Sequence, residues 1–138
     1  SEATYRALGV MSQQELLLWK RILPSVELHG EIAEAVIRRE DLEAVGLEYM
    51  DTGNIVSFLR SVSGVYISAV YREDADNKVK LSLRSDPGYD VSAVALQFGG
   101  GGHKQAAGAE FTGSVDEFRQ QVLPLLKDVA AKGTLQLD

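Results

Sequence analysis

The sequence predicts an α/β fold of the α+β-like kind, in which helices pack on a mixed β-sheet of about five strands. Helix-like and strand-like segments alternate irregularly along the chain, which is typical of helices packed on a mixed sheet. The two clearest strands, Val65 to Arg72 and Lys78 to Ser85, are separated only by the polar turn Glu73 to Asn77, as in an antiparallel hairpin. Hydrophobic residues make up 45% of the 138 residues, which is enough for the core of one domain.

The first predicted helix begins after Ser12. Ser12-Gln13-Gln14-Glu15 has the pattern of a capping box, and Pro24 should end the helix because proline has no backbone N–H to continue it. The helix carries the apolar residues Leu16, Leu17, Trp19, Ile22 and Leu23. We assign residues 1–29 to this helix and an interdomain linker, and residues 30–138 to one domain. Because the chain begins at Ser1, we expect further residues upstream in the parent protein.

Three shorter elements are predicted before the hairpin. Gly30 to Arg39 fits either a helix or a strand, and we favour a strand because the segment is short and β-branched near its end. Asp41 to Gly46 is typical of one helical turn. Asp51 to Val62 predicts a longer helix, capped by Asp51 or Thr52 and stopped by Gly64. Its apolar residues recur at i, i+4 and i+7, namely Ile55, Leu59 and Val62.

The strand Lys78 to Ser85 has two chemically different faces. Successive side chains of a strand point to opposite sides of the sheet, so one face should lie in the core and the other in solvent. The core face is expected to carry Val79, Leu81 and Leu83, and the polar face Lys78, Lys80, Ser82 and Arg84. Asp86-Pro87-Gly88 has the residues of a turn and should end the strand.

The remaining elements flank a run of four glycines, Gly99 to Gly102. Asp90 is the expected cap of a helix that the run ends, and the apolar side of that helix carries Val91, Val94, Ala95 and Phe98. After the run we predict a strand at about Gly108 to Thr112. A long helix should then open at the capping box Ser114-Val115-Asp116-Glu117.

That final helix is predicted to end at Gly133, before a last edge strand from Thr134 to Leu137. Pro124 lies inside the helical pattern and should kink it. The expected core stripe is Phe118, Val122, Leu125 and Val129.

Composition and charge limit the classes of function and partner that are expected for this chain. The formal net charge is −6, so a broad basic surface for long nucleic acid is not expected, and phosphate should be bound locally by few basic groups. The absence of cysteine excludes disulfides and thiolate metal sites. The longest run of large apolar residues, Leu16 to Trp19, is too short to cross a membrane. We therefore expect no membrane partner and a cytoplasmic protein.

We predict no metal site and no catalytic residue in this chain. It contains two histidines, His29 and His103, without a close carboxylate cluster in the sequence, whereas a two-metal centre needs several such ligands. His29 stands next to Gly30 and is interpreted as a loop residue without a role.

The glycine run is the first candidate binding feature. Ordering four glycines is costly because glycine loses the most backbone freedom, so the run should either take unusual dihedral angles or come very close to another group. Consecutive N–H groups can form an anion cradle. His103, and a helical turn beginning at His103 or Lys104, would add donors to it. The alternative is a flexible connector.

Arg84 and Ser85 are the second candidate feature. The planar guanidinium of Arg84 suits phosphate oxygens, and Ser85 offers a hydroxyl and a backbone N–H. The alternative is a solvated strand face, which is how we interpret Lys78 and Lys80.

The order of these motifs resembles the DHH-associated domain, the C-terminal domain of DHH-family phosphoesterases. The resemblance covers about residues 30–130, and the glycine–histidine motif beside the pattern K-x-S-x-R-S is specific. The residues that carry it are Lys80-Leu81-Ser82-Leu83-Arg84-Ser85, Asp90-Val91-Ser92, Phe98-Gly99-Gly100-Gly101-Gly102-His103 and Ala106-Ala107-Gly108-Ala109, with Gly64-Val65 before them.

The resemblance implies a role in substrate binding. In such enzymes the N-terminal DHH domain holds manganese through motifs that include Asp-His-His and activates a water for phosphoester hydrolysis, while the DHH-associated domain closes over the substrate. Since no Asp-His-His occurs here, the expected cofactor, manganese, belongs to that other domain. The substrate-binding residues implied by the resemblance are Arg84, Ser85, Gly100, Gly101, Gly102 and His103.

Within the family, the resemblance is to the type that acts as oligoribonuclease and phosphoadenosine-phosphate phosphatase. The expected partners are therefore short single-stranded RNA or a nucleotide phosphate such as 3'-phosphoadenosine 5'-phosphate, and the N-terminal DHH domain of the same parent chain. RecJ-like exonucleases, cyclic-dinucleotide phosphodiesterases and relatives of alanyl-tRNA synthetase carry related domains. A nucleic-acid-binding accessory module of one of these is the alternative.

Overall fold

The computed structural model describes residues 11–135, which form one six-stranded mixed sheet with helices on both faces. The helices are α1 (Gln13–Ile22), α2 (Arg39–Ala44), α3 (Gly53–Arg60), α4 (Ser92–Leu96) and α5 (Val115–Lys132). The strands are β1 (Glu27–His29), β2 (Ile32–Ile37), β3 (Ile67–Asp74), β4 (Lys78–Ser85), β5 (Gly101–His103) and β6 (Ala106–Thr112). None of the helices in this described part has the length and apolar character needed to span a membrane.

The strand order is β1-β2-β3-β4-β6-β5. Neighbouring strands are antiparallel except β2 and β3, which are parallel and connected through α2 and α3. The predicted class of helices on a mixed sheet is thus confirmed, and so is the hairpin of β3 and β4. The sheet gains the three-residue strands β1 and β5 at its two edges. The predicted last strand is not seen at Thr134 and Leu135, and residues 1–10 and 136–138 lie outside the described part.

Each face of the sheet has its own apolar layer. On one face, α4 and α5 cover β3, β4 and β6, and the buried side chains there include Tyr71, Leu81, Leu83, Val94, Phe118 and Val122. On the other face, α1, α2 and α3 cover β2 and β3, and the buried side chains include Leu18, Ile22, Ala35, Ile55, Leu59 and Val70. The sheet alternation predicted for β4 is confirmed, because Val79, Leu81 and Leu83 are all buried.

Only part of the apolar surface of α1 enters the core. Ser12 caps the helix as expected, since its hydroxyl accepts a hydrogen bond from the Glu15 N–H at 3.0 Å. However, Leu16, Leu17 and Leu23 are exposed, and the side chains that enter the core are Leu18 and Ile22. The segment is apolar on more than one side, so its periodicity does not identify the side that meets the sheet.

The last helix follows the prediction with one change of residue. The Ser114 hydroxyl accepts from the Glu117 N–H at 3.1 Å, and Gly133 ends the helix with φ of 82°. Leu126 takes the buried position that was expected for Leu125. The assignment of residues 1–29 to a linker stays a prediction; α1 and β1 within it pack on the same sheet as the rest of the domain.

A buried charge network joins β1, β2 and α5. Glu34 is 1% exposed and accepts a hydrogen bond from the Tyr71 hydroxyl at 2.8 Å. Arg119 donates through Nη2 to the carboxylates of both Glu27 and Glu34. Burial raises the pKa of Tyr71 well above its usual value, and the charge and hydrogen bond of Glu34 raise it further. Burial alone would lower the pKa of Arg119, but Glu34 and Glu27 more than compensate and raise it.

His29 belongs to this network and is not the loop residue that we expected. It ends β1, and its Nε2 lies 3.1 Å from Glu34 and 3.4 Å from Glu27. Donor atoms of Glu27, His29 and Glu34 lie within 4.8 Å of one another, as they would around a metal ion. Yet the Arg119 guanidinium already supplies a positive charge to both carboxylates, so these residues form an ion-pair network and do not fit a two-metal hydrolytic centre.

Replacing Arg119 with methionine is expected to destabilise the fold by about 3 kcal/mol, because the charge of Glu34 would remain buried without its cation. Urea unfolding of the 138-residue chain measures the loss. The double variant Glu34→Gln/Arg119→Met should lose less than the single variant, since no unpaired charge is left. A single variant that unfolds at the wild-type urea concentration would contradict this view of the network.

Candidate functional site

The glycine run forms an edge strand and a helix end, not an anion cradle. The N–H groups of Gly99 and Gly100 donate to the carbonyls of Leu96 and Ala95 at 3.1 and 2.9 Å and so close α4. The chain then enters β5, and after a two-residue turn it returns as β6. The predicted run of free consecutive N–H groups is therefore not formed, and no helical turn begins at His103 or Lys104.

Two glycines of the run are required by close packing against β6. A Cβ on Gly100 would lie 2.1 Å from the carbonyl oxygen of Gly108, and one on Gly102 would lie 2.5 Å from that of Ala106. Gly102 also has φ of 141°, in the region that favours glycine. In contrast, a Cβ on Gly101 would meet nothing within 4 Å. Both explanations expected for the run are confirmed, since Gly99 and Gly102 have positive φ angles and Gly100 and Gly102 closely approach β6.

The variant Gly102→Ala is expected to lose roughly 1–3 kcal/mol of stability, because both its backbone conformation and the contact with β6 are incompatible with a side chain. Gly101→Ala is the matched control one residue away and should cost much less. Chemical denaturation of both variants tests the difference. Equal losses would show that the run is sensitive to glycine replacement in general and not to the contact with β6.

The sheet register brings Arg84 and His103 onto one face. Arg84 pairs with Ala106 across β4 and β6, and Ala106 pairs with His103 across β6 and β5. Residues directly opposite each other in an antiparallel sheet point to the same side, so Arg84, Ala106 and His103 form one row. With strands about 4.8 Å apart, the backbones of Arg84 and His103 are separated by roughly 10 Å.

The next row supplies a floor without large side chains. It consists of Ser82, Gly108 and Gly101, in the same strand order. Ser82 is buried against α3, where its hydroxyl lies 2.6 Å from the Thr52 hydroxyl. Within residues 11–135, α1 to α3 pack on β2, β3 and β4 but leave this face of β5 and β6 uncovered. We call the uncovered surface formed by Arg84, Ala106, His103, Gly108 and Gly101 the open strip.

The open strip is basic although the chain as a whole is acidic. Arg84 is half-buried and donates to the Leu83 carbonyl at 3.0 Å, and no carboxylate of the described residues lies within salt-bridge distance of it. His103 is exposed. Farther along the same face, Glu110 is paired with Lys78 at 3.3 Å, which offsets its charge. Arg84 therefore contributes a positive charge to the strip that no carboxylate of the described residues neutralises by an ion pair.

Ser85 holds the end of β4 in place. Its hydroxyl donates to the Tyr89 carbonyl at 2.6 Å, its N–H donates to the Gln105 carbonyl at 3.0 Å, and the residue is 2% exposed. Both donors that we considered for a ligand therefore have partners inside the domain. Ser85 fixes the β5–β6 turn beside Arg84, while Arg84, Gly101 and His103 are the predicted site residues that share the open face.

Sequence reasoning missed the floor of the strip. Ala106 and Gly108 lie between Arg84 and the glycine–histidine strand, but the sequence identified them only as part of the family motif. The pairing of β6 with both β4 and β5 decides their position, and no local pattern in the sequence encodes that pairing.

Known proteins are similar to this chain in sequence and in fold. NrnA of Thermus thermophilus, a bifunctional oligoribonuclease and PAP phosphatase, is 35% identical over 79 residues, which are 56% of this chain and 24% of that protein. An exopolyphosphatase-related protein from Bacteroides fragilis superposes with a TM-score of 0.79 at 26% identity, over 94% of this chain and 40% of that chain. The pGpG-specific phosphodiesterase PggH of Vibrio cholerae shares the fold, with a TM-score of 0.64 at 14% identity, over 87% of this chain and 40% of that chain.

The fold and the open strip define a small α+β domain that carries its polar chemistry on one uncovered side of the sheet. Residues 29–131 match the family described as the DHHA1 domain. The chain belongs to this family, and the resemblance seen in the sequence is thereby confirmed. It spans well under half the length of each of these three relatives.

Proposed function

We propose that this chain is the substrate-binding domain of a DHH-family phosphoesterase that hydrolyses short RNA or small nucleotides such as 3'-phosphoadenosine 5'-phosphate. Membership in the DHHA1 family and the oligoribonuclease and PAP phosphatase activities of the Thermus relative support this assignment. The observation that carries it is the row of Arg84 and His103 across a floor of glycine and alanine. Such a floor admits a ribose phosphate close to the backbone, with cationic or hydrogen-bonding groups at both ends.

The role of the domain in this proposal is positioning. Arg84 binds a phosphate from β4, and His103 donates to it from β5, so that the phosphoester is held in one orientation. The N-terminal DHH domain of the parent chain supplies manganese and the attacking water. Among residues 11–135, the one group of side chains spaced like metal ligands is the Glu27–His29–Glu34 cluster. Its two carboxylates are already paired with the positive charge of Arg119. No catalytic step is therefore assigned to this chain.

The proposal predicts that Arg84→Ala and His103→Ala each weaken the binding of a short oligoadenylate by about tenfold, the equivalent of losing roughly 1.4 kcal/mol. Calorimetric or NMR titration of the 138-residue chain measures the affinity. Lys127→Ala is the matched control, because it removes one exposed charge from α5 on the other side of the sheet. If both site variants bind like wild type, the ligand lies elsewhere.

A second variant tests the floor without removing a charge. Gly101→Val would place a side chain in open space above the strip, where a Cβ meets no neighbour. The fold should be retained and the affinity for the oligoadenylate should fall by at least about tenfold, because the new side chain occupies the volume of the ligand. Unchanged affinity in a folded variant would exclude the floor from the binding site.

A further inference from the structure

Helix α3 forms a wall along the open strip. At its start, Thr52 lies 2.6 Å from Ser82 of β4, hydroxyl to hydroxyl. At its end, Nη1 of Arg60 donates to Asp86, the residue that follows β4, at 3.0 Å. The helix therefore runs alongside β4 from Ser82 to Asp86, and Arg84 lies between these two contacts.

The orientation of α3 places Arg60 on the side of the helix that borders the strip. Phe58 packs edge-on against Trp19 of α1, with ring centroids 5.0 Å apart, so that side of α3 faces α1 and β2. A helix turns 100° per residue, and Arg60 lies about 160° around the axis from Phe58. The opposite side of α3 therefore carries Arg60, toward β4 and the uncovered strands.

Arg60 is oriented by an ion pair that uses only some of its hydrogen-bond donors. Asp86 is its one ion-pair partner among the described residues, and the two side chains are 38% and 36% exposed. The Arg60 Nε is buried without a hydrogen-bond partner among the described residues, so it cannot reach a ligand. A guanidinium carries five N–H donors, and Asp86 accepts from Nη1, so the donors left for a ligand are on the two terminal nitrogens. An exposed pair of this kind contributes little to the stability of the fold. We therefore infer that Asp86 serves to orient the Arg60 side chain.

Two arginines thus border the same ligand space. Asp86, the partner of Arg60, follows Arg84 by two residues, which is about 7 Å along an extended chain. Arg60 reaches the strip from the helix, and Arg84 reaches it from the sheet. We propose that Arg60 binds a second phosphate of the ligand whose first phosphate is bound by Arg84. This inference rests on the function proposed above and makes Arg60 the residue that selects ligands with two phosphates over ligands with one.

The test compares 3'-phosphoadenosine 5'-phosphate, which has two phosphates, with adenosine 5'-monophosphate. Wild type should bind the bisphosphate more tightly. Arg60→Ala should lose about tenfold in affinity for the bisphosphate and keep its affinity for the monophosphate, whereas Arg84→Ala should lose affinity for both. The salt dependence of bisphosphate binding should also fall by about one unit of slope in Arg60→Ala, as expected for one lost phosphate contact.

Arg60→Lys and Lys127→Ala complete the set. Lysine lacks the planar fork of arginine, so Arg60→Lys should restore only part of the preference for two phosphates; it also carries the test if Arg60→Ala does not fold. Lys127→Ala, a matched loss of one charge from α5, should leave both affinities unchanged. Circular dichroism and the unfolding midpoint show that each variant is folded.

The outcomes separate the two proposals. Equal losses for both nucleotides in folded Arg60 variants, or no loss for either, would overturn the role of Arg60 while Arg84→Ala still supports the binding site. If wild type binds neither nucleotide, both proposals fall.

Discussion

Strand β4 determines both the core and the site. It lies inside the sheet, paired with β3 on one side and β6 on the other. Its residues Val79, Leu81 and Leu83 are buried under α4 and α5, so Arg84 necessarily points to the other face. A shift of its register by one residue would reverse every side chain and would place Arg84 in the apolar layer. The same strand pairing that satisfies the core therefore specifies the position of Arg84, for which we propose phosphate binding.

The open strip depends as much on missing side chains as on those present. Gly100 and Gly102 are small because β6 comes too close for a Cβ. Gly108 is also required by close packing, since a Cβ there would lie 2.9 Å from the Leu81 carbonyl oxygen, whereas a Cβ on Gly101 would project into open space above the strip. The glycine run thus permits the close approach of an edge strand, and at Gly101 it leaves open the space in which we propose that a ligand binds.

An acidic domain can bind an anion when its carboxylates near the site are neutralised. Glu110 is paired with Lys78 and Asp86 with Arg60, while the buried Glu34 is neutralised by Arg119 on the opposite face of the sheet. The net charge of −6 is consequently not the charge that a ligand meets at the strip. This arrangement suits a small phosphate-bearing ligand better than a long polyanion, which would also cross the acidic surface.

The sequence by itself determined most of the elements, the sheet alternation and the family. Local signals suffice for these, because a capping serine such as Ser114, a turn such as Asp86-Pro87-Gly88 and the two-residue period of β4 act within a few neighbouring residues. Only the tertiary structure decided that α1 buries Leu18 and not Leu17, that His29 joins Glu34 and Arg119, and that Arg60 borders the strip. It also decided that the glycine run, the first feature to suggest a binding site, is an edge strand. The physical reason is that each of these outcomes depends on which distant segment of the chain packs against the residue concerned. A strand of three glycine-rich residues has no periodicity of its own from which its neighbouring strand could be inferred.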